Sequence, residues 1–255
     1  MDRDETLALF DRELRQGAQP DGPGSRVERI GGVIRTTGDA WNGIIWSDLD
    51  TSTADATIAA QLRYFAELGR PFEWKLYDYD RPADLADRLL AAGLTAEPPE
   101  ALMVARVADL PDATVPDGIH LRPVTRPDDV ALMATVHDQA FGTDSARLMA
   151  SLTAQLADEP DRVFAVLAMA GDTPVSAARL ELNPGTHFAG LWGGGTVEAW
   201  RGRGIYRSLI AYRAAIAAER GYEYLQVDAS DDSRPILQRL GFHHLATTTP
   251  YTWHP

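Results

Sequence analysis

The sequence predicts an α/β protein made of two similar halves. Three observations lead there. Segments with apolar residues at every second position alternate with segments of helical period along the whole chain. The stretch 73–104, "EWKLYDYDRPADLADRLLAAGLTAEPPEALMV", matches 223–253, "EYLQVDASDDSRPILQRLGFHHLATTTPYTW", in order: strand, acidic turn, Arg-Pro, amphipathic helix, glycine stop, strand. A chain of 255 residues, 45% of them hydrophobic, suffices for one large core or two smaller ones.

In the first half, residues 4–16 read as a helix with Leu7, Phe10 and Leu14 on one face. "QGAQPDGPGS" is a loop by its glycine and proline content. "RVERIGGVIRTTG" and "WNGIIWSDL" read as the two strands of a hairpin. Ser52 and Asp55 suggest a capping box for a helix carrying Ile58, Leu62 and Phe65. A strand ("FEWKLYDYD"), a helix closed by Gly93 and another strand ("ALMVARVADL") complete this half. "PDATVPDG", residues 111–118, is rich in Pro, Asp and Gly and lacks periodicity. It divides the chain into residues 1–111, a linker at 112–118, and residues 119–255.

The second half opens with the strand "IHLRPVT". Helices at about 128–140 and 146–156 follow, then the strands "RVFAVLAMA", "VSAARLEL" and "HFAGLWGGGTV". A glycine-arginine turn leads into a helix from Gly204 to about Arg220, with Ile205, Leu209, Tyr212 and Ile216 on one face as core. "YEYLQVDA", the short helix "SRPILQRLG" and the strand "HHLATTTPYTW" end the pattern.

Charge and composition narrow the function. The net charge is −13, which disfavours nucleic acid and anionic membranes as partners and leaves room for a cationic small molecule. No run of apolar residues is long enough to span a bilayer, and the acidic N-terminal stretch has the wrong chemistry for a targeting signal. There is no cysteine, so disulfides, thiol nucleophiles and zinc-thiolate sites are excluded. No metal site is expected, and a cytoplasmic location is. Monomer and homodimer both stay open.

The densest chemical signal is "GGGTVEAWRGRGIYRSLIAYR", residues 193–213. A helix start offers unpaired N–H groups and the positive end of a dipole, so it attracts anions. Glycine lets a phosphate approach the backbone, and Arg201, Arg203 and Arg207 add donors suited to phosphate oxygens. A dinucleotide fingerprint would need a third glycine where Arg207 stands, and too little chain remains to build its sheet. The Gly-Lys-Ser/Thr of a P-loop is absent.

Residues 119–255 resemble the GNAT superfamily of acetyl-CoA-dependent N-acetyltransferases. "IHLRPVTRPDDVALMATVHDQAFG" is similar to that family's first strand and helix, "RGRGIY" to its Arg/Gln-x-x-Gly-x-Gly/Ala signature except at Tyr206, and "SRPILQRLGF" to its final helix and Gly-Phe stop. With the repeat, the chain resembles a tandem GNAT protein whose first half has "LDTSTADAT" where the coenzyme turn would be. The resemblance implies two mixed, mostly antiparallel sheets flanked by helices, with a splayed strand pair in the C-terminal half that admits the coenzyme. It implies acetyl-CoA as co-substrate, contacted by Thr196, Val197, Arg201, Gly202, Arg203, Gly204, Ile205, Tyr206, Ser230 and Ser233. The acceptor would be a small-molecule amine attacked directly, with no covalent enzyme intermediate. Val197 would supply an oxyanion N–H. Glu181 and Asp228 are candidate bases, with Glu198 a neighbour that could pair with an arginine. Leu237 falls where many relatives have a tyrosine acid, so Tyr206 and Tyr251 are candidate replacements. A non-catalytic acyl-CoA-binding module and an enzyme acting on a protein or peptide amine are the alternatives.

Overall fold

A computed structural model of the protein describes residues 1–22, 24–39, 41–112 and 114–255. Pro23 in the expected loop and Ala113 in the expected linker lie outside the described residues. The fold is α/β and resolves into two compact units that do not follow chain order. One comprises residues 1–103, 228–235 and 244–255; the other comprises 104–227 and 236–243. The linker at 112–118 therefore falls within the second unit and not at its border.

The first unit begins with α1 (Arg3–Phe10), continued by a π-helical turn over Asp11–Arg15. The expected two-stranded hairpin is three strands: β1 (Arg26–Ile30), β2 (Val33–Thr37) and β3 (Gly43–Ser47). Gly31, at φ +57°, turns the chain between β1 and β2. Next come α2 (Ala54–Leu68), β4 (Phe72–Tyr77), α3 (Leu85–Ala91), a two-residue β5 (Thr95–Ala96) and β6 (Glu100–Arg106). The Ser52–Asp55 capping box does not form. The cap is Thr53, and Asp50 accepts from the N–H groups of Ser52 and Thr53 at 2.8 and 2.9 Å. β3 and β4 run parallel around α2, and β4 pairs antiparallel with β12 (His243–Trp253) from Tyr77↔Thr248 to Phe72↔Trp253. Ile58 and Phe65 of α2 and Leu85 and Leu89 of α3 bury against Val33, Ile44, Trp74 and Tyr251 of the sheet.

The second unit repeats this plan. β7 (Ile119–Pro123), α4 (Pro127–Phe141), α5 (Ala146–Asp158), β8 (Val163–Ala170), β9 (Thr173–Leu182) and β10 (Phe188–Thr196) precede α6 (Ile205–Glu219) and β11 (Tyr224–Ala229). The helix α7 (Arg234–Arg239) follows. The sheet order is β11-β10-β9-β8-β7. β7 through β10 are antiparallel, and β10 runs parallel to β11 around α6. Successive side chains of β8 point to opposite faces. Val163, Ala165, Leu167 and Met169 pack under α4 and α5, while Val166 and Ala168 meet Ile205 and Leu209 of α6. The sheet is thus covered by α4 and α5 on one side and α6 on the other.

Candidate active site

The site is built on β10 and the start of α6. β10 is paired with β11 only from Phe188↔Tyr224 to Gly190↔Gln226, whereas its pairing with β9 continues to Thr196↔Ser176. Beyond Gly190 the two parallel strands part, as a splayed pair should. The β9 register slips between Trp192↔Arg179 and Gly195↔Ala177, so Gly193 and Gly194 face the single residue Ala178. This is a β-bulge, and Gly193 has φ +57°. A β-carbon on Gly195 would lie 2.7 Å from the Phe141 ring and one on Gly194 3.0 Å from the Tyr206 ring, so a side chain at either position would require those rings to move.

The turn after β10 ends at Gly204, which caps α6 at φ +82° without any side-chain cap. The first main-chain bond into the helix is Ser208 N–H to Gly204 O at 3.2 Å. The N–H groups of Ile205, Tyr206 and Arg207 thus precede the first helical bond and have no intrahelical acceptor. Gly202, at φ +74°, is the second left-handed residue of this turn. Ile205 is core, 1% exposed.

The arginines are partly committed to the protein itself. Arg201 donates from Nε to Thr196 O at 3.0 Å and from Nη2 to Ala140 O at 3.2 Å, bracing the end of β10 against the end of α4. Arg203 donates to Ala199 O and lies 4.5 Å over the Trp200 ring. Both remain exposed. Thr196 Oγ1 lies 2.8 Å from Ser176 Oγ. The Val197 N–H, expected to be an oxyanion donor, already donates to Val175 O at 3.0 Å. The ladder with β9 takes it, so that role does not fit this position.

A cleft on the α4–α5 side of the bulge is lined by Met133, His137, Met149, Leu152, Arg179 and Gly193, with Leu148 and Ala177. Sequence reasoning passed over His137 because it sits in α4 as an ordinary helical residue. Its Nδ1 is buried without a hydrogen-bond partner. Burial, opposed by Asp138 and assisted by Arg179, lowers its pKa below the usual histidine value, so the ring is neutral at pH 7. Glu181 stands two residues along β9 and pairs with Arg179 Nε at 2.9 Å. On the other side of the bulge Tyr206 is half-buried, and burial raises its pKa.

The remaining sequence candidates belong to the other unit. Asp228 is 7% exposed and bound to the Lys75 ammonium as its counter-ion. Tyr251 is 6% exposed and packs in the core with Trp74. Ser230 and Ser233 shape the turn before α7, where the N–H groups of Ser233 and Arg234 donate to Ser230 O at 3.1 and 2.9 Å. Leu237 is fully buried, so no acid occupies the position where relatives place one. Among the described residues no helix is long and apolar enough to cross a membrane.

The model of the acetyltransferase (GNAT) family matches residues 131–242, which include the bulge, the glycine turn and α7. Residues 131–242 are therefore similar to a GNAT acetyltransferase domain. No curated protein matches the chain. Several solved structures share its fold across nearly the full length. A GCN5-related N-acetyltransferase from Kribbella flavida is 19% identical at a TM-score of 0.71, covering 99% of this chain and 94% of its own. A tandem GNAT protein from the clavulanic acid biosynthesis pathway is 13% identical at a TM-score of 0.64, covering 98% and 95%. A protein of unknown function from Staphylococcus epidermidis is 13% identical at 0.73, covering 94% and 96%. The family that these residues match is one of acetyltransferases.

Proposed function

We propose that the protein transfers an acetyl group from acetyl-CoA to the amine of a small molecule. The observation that carries this reading is the uncapped start of α6, with left-handed Gly202 and Gly204, placed directly after a bulged strand that has parted from its neighbour. Residues 119–255 would hold the coenzyme-binding GNAT copy and residues 1–111 a diverged copy without the Arg-Gly-Arg-Gly turn.

In this reading the N–H groups of Ile205, Tyr206 and Arg207 hold the pyrophosphate, helped by the positive end of the helix and by Arg203. The pantetheine arm follows β10 where β11 has left it, and the thioester lies at Gly193–Gly194. The acceptor approaches beside Met133, Met149 and Leu152, whose side chains must part to admit it, since the hollow between them holds only about 10 Å³. Its neutral amine attacks the thioester carbon; the new C–N bond forms as the C–S bond breaks and the thiolate departs. His137, neutral and lining that cleft, receives the proton lost by the amine. Glu181, held by Arg179, is the second group within this part of the sheet that can share it.

A second reading, acyl-CoA binding without turnover, is favoured by Leu237 alone, since the departing thiolate then lacks the usual acid. The test is thiol release from acetyl-CoA across a panel of amines, beside calorimetric binding of coenzyme A. Amine-dependent thiol release supports the enzyme. Binding without any release supports the second reading, and absence of both overturns the first.

A further inference from the structure

Among the described residues two arginines are completely buried, and they differ in one respect. Arg15 is 1% exposed and fully partnered. Nε donates to Ile45 O at 3.0 Å, Nη1 to Asp11 at 2.9 Å and Nη2 to Asp80 at 2.7 Å. Arg213, on the inner face of α6, is also 1% exposed, yet it pairs with no carboxylate among the described residues. Its Nε donates to Leu209 O and its Nη1 to Arg179 O, both at 3.0 Å. Its Nη2 is buried with no acceptor at all. Burial brings its pKa down to about 10, so the group is still charged at pH 7.

A buried cation without a counter-ion costs stability, and a neutral residue of similar volume would fit better. Such a group is retained when a ligand completes it. The direction of the open edge says where. A β-carbon placed on Gly194 would lie 3.7 Å from Nη2 and 3.0 Å from the Tyr206 ring. The two unmatched N–H groups therefore lie at the bulge of β10, under the phenol that closes it from the helix side.

On the reading given above, this is where the acyl end of a coenzyme A thioester sits. We infer that Arg213 is a carboxylate receptor for the donor's acyl chain, so that beside acetyl the site takes, and holds more tightly, a short acyl group ending in a carboxylate. A methyl group offers Nη2 nothing. The amide carbonyls of the pantetheine arm are neutral and leave the charge unmatched. A terminal carboxylate supplies both the acceptor oxygens and the missing negative charge. Tyr206 must swing aside for it.

Binding is the readout, so no acceptor need be known. The full-length protein is titrated with coenzyme A, acetyl-CoA and succinyl-CoA, and the same series is run on Arg213→Met and Arg213→Lys. The wild type should bind succinyl-CoA at least tenfold more tightly than acetyl-CoA. Arg213→Met should erase that ratio while melting at or above the wild-type temperature, and Arg213→Lys should keep part of it. Equal wild-type affinity for the two thioesters overturns the inference. So does a ratio that survives in Arg213→Met, or a loss that falls equally on bare coenzyme A, which would place Arg213 against the pantetheine arm. If Arg213→Met melts lower, the charge is structural, and the inference fails unless Arg213→Lys still discriminates. Failure of all three ligands to bind would instead overturn the coenzyme reading itself.

Discussion

Replacing Gly204 separates a helix start from a phosphate site. The residue stands at φ +82°, where a side chain is strained, and its β-carbon would meet only Pro116 Cγ, at an ordinary 3.8 Å. Gly204→Ala therefore costs the left-handed penalty alone, about 1–2 kcal/mol. For a unit of this size that lowers Tm by roughly 3–10 °C. The N–H groups of Ile205, Tyr206 and Arg207 stay in place, so affinity for acetyl-CoA should change by no more than about threefold, well under 1 kcal/mol. Gly204→Glu carries the same strain and adds a carboxylate where the pyrophosphate is expected. Losing two charge-assisted hydrogen bonds at about 1.5–3 kcal/mol each weakens binding by roughly 10² to 10⁴. Arg203→Ala should cost less, since its side chain already spends one donor on Ala199 O. Calorimetric titration and a thermal melt on the same preparations give both numbers. A folded Gly204→Glu protein with wild-type affinity would reduce the turn to a plain helix start and remove the main support for coenzyme binding.

Coenzyme A should bind once per chain, because the first repeat has no glycine-arginine turn; two equivalent sites by calorimetry would contradict the diverged-copy reading. Arg15→Met should destabilise by about 3–5 kcal/mol, since Asp80, 5% exposed, loses its counter-ion; a denaturant midpoint equal to wild type would refute it. Lys75→Met should cost a similar amount, about 3–5 kcal/mol, by stranding Asp228, and adding Asp228→Leu should recover most of it in a double-mutant cycle. Burial holds the pKa of His137 and His244 below 6.5, so the unfolded chain takes up protons first as pH falls. Stability should therefore be fullest above pH 6.5 and decline as pH drops through the range below it. Melts from pH 8 to 5 on wild type and His137→Gln check this, and an unchanged slope in the variant would remove His137 from the account.

Much of this was legible in the sequence, and the misses have physical causes. Period-2 and helical patterns located β8, β9, β10, α4, α5 and α6 closely, because each buries one face or both in a single local core. Gly204 was legible because a left-handed residue before a helix is nearly always glycine. Arg213 was not. Apolar spacing pointed to Ile205, Leu209, Tyr212 and Ile216, whereas the buried stripe runs through Ile205, Leu209, Arg213 and Ala217, with Tyr212 and Ile216 only half-buried. A pattern based on hydrophobicity places an arginine outside, whatever the helix does. The hairpin at Gly31 and Gly32 was overlooked because β1 is largely exposed and carries little alternation. The Asp50 turn displaced the expected capping box by offering one carboxylate oxygen to Ser52 and Thr53 together.

The membership of β12 in the first unit also governs how the chain comes off the ribosome. Residues 1–103 emerge early, but the strand that pairs with β4 is made about 140 residues after that point. Until then the edge of β4, with Trp74 and Tyr77 along it, waits for a partner that does not yet exist. The α6 unit, which needs nothing beyond residue 243, is free to condense first. A chain stopped short of its final strand would leave an N-terminal unit whose first 103 residues are translated and still incomplete.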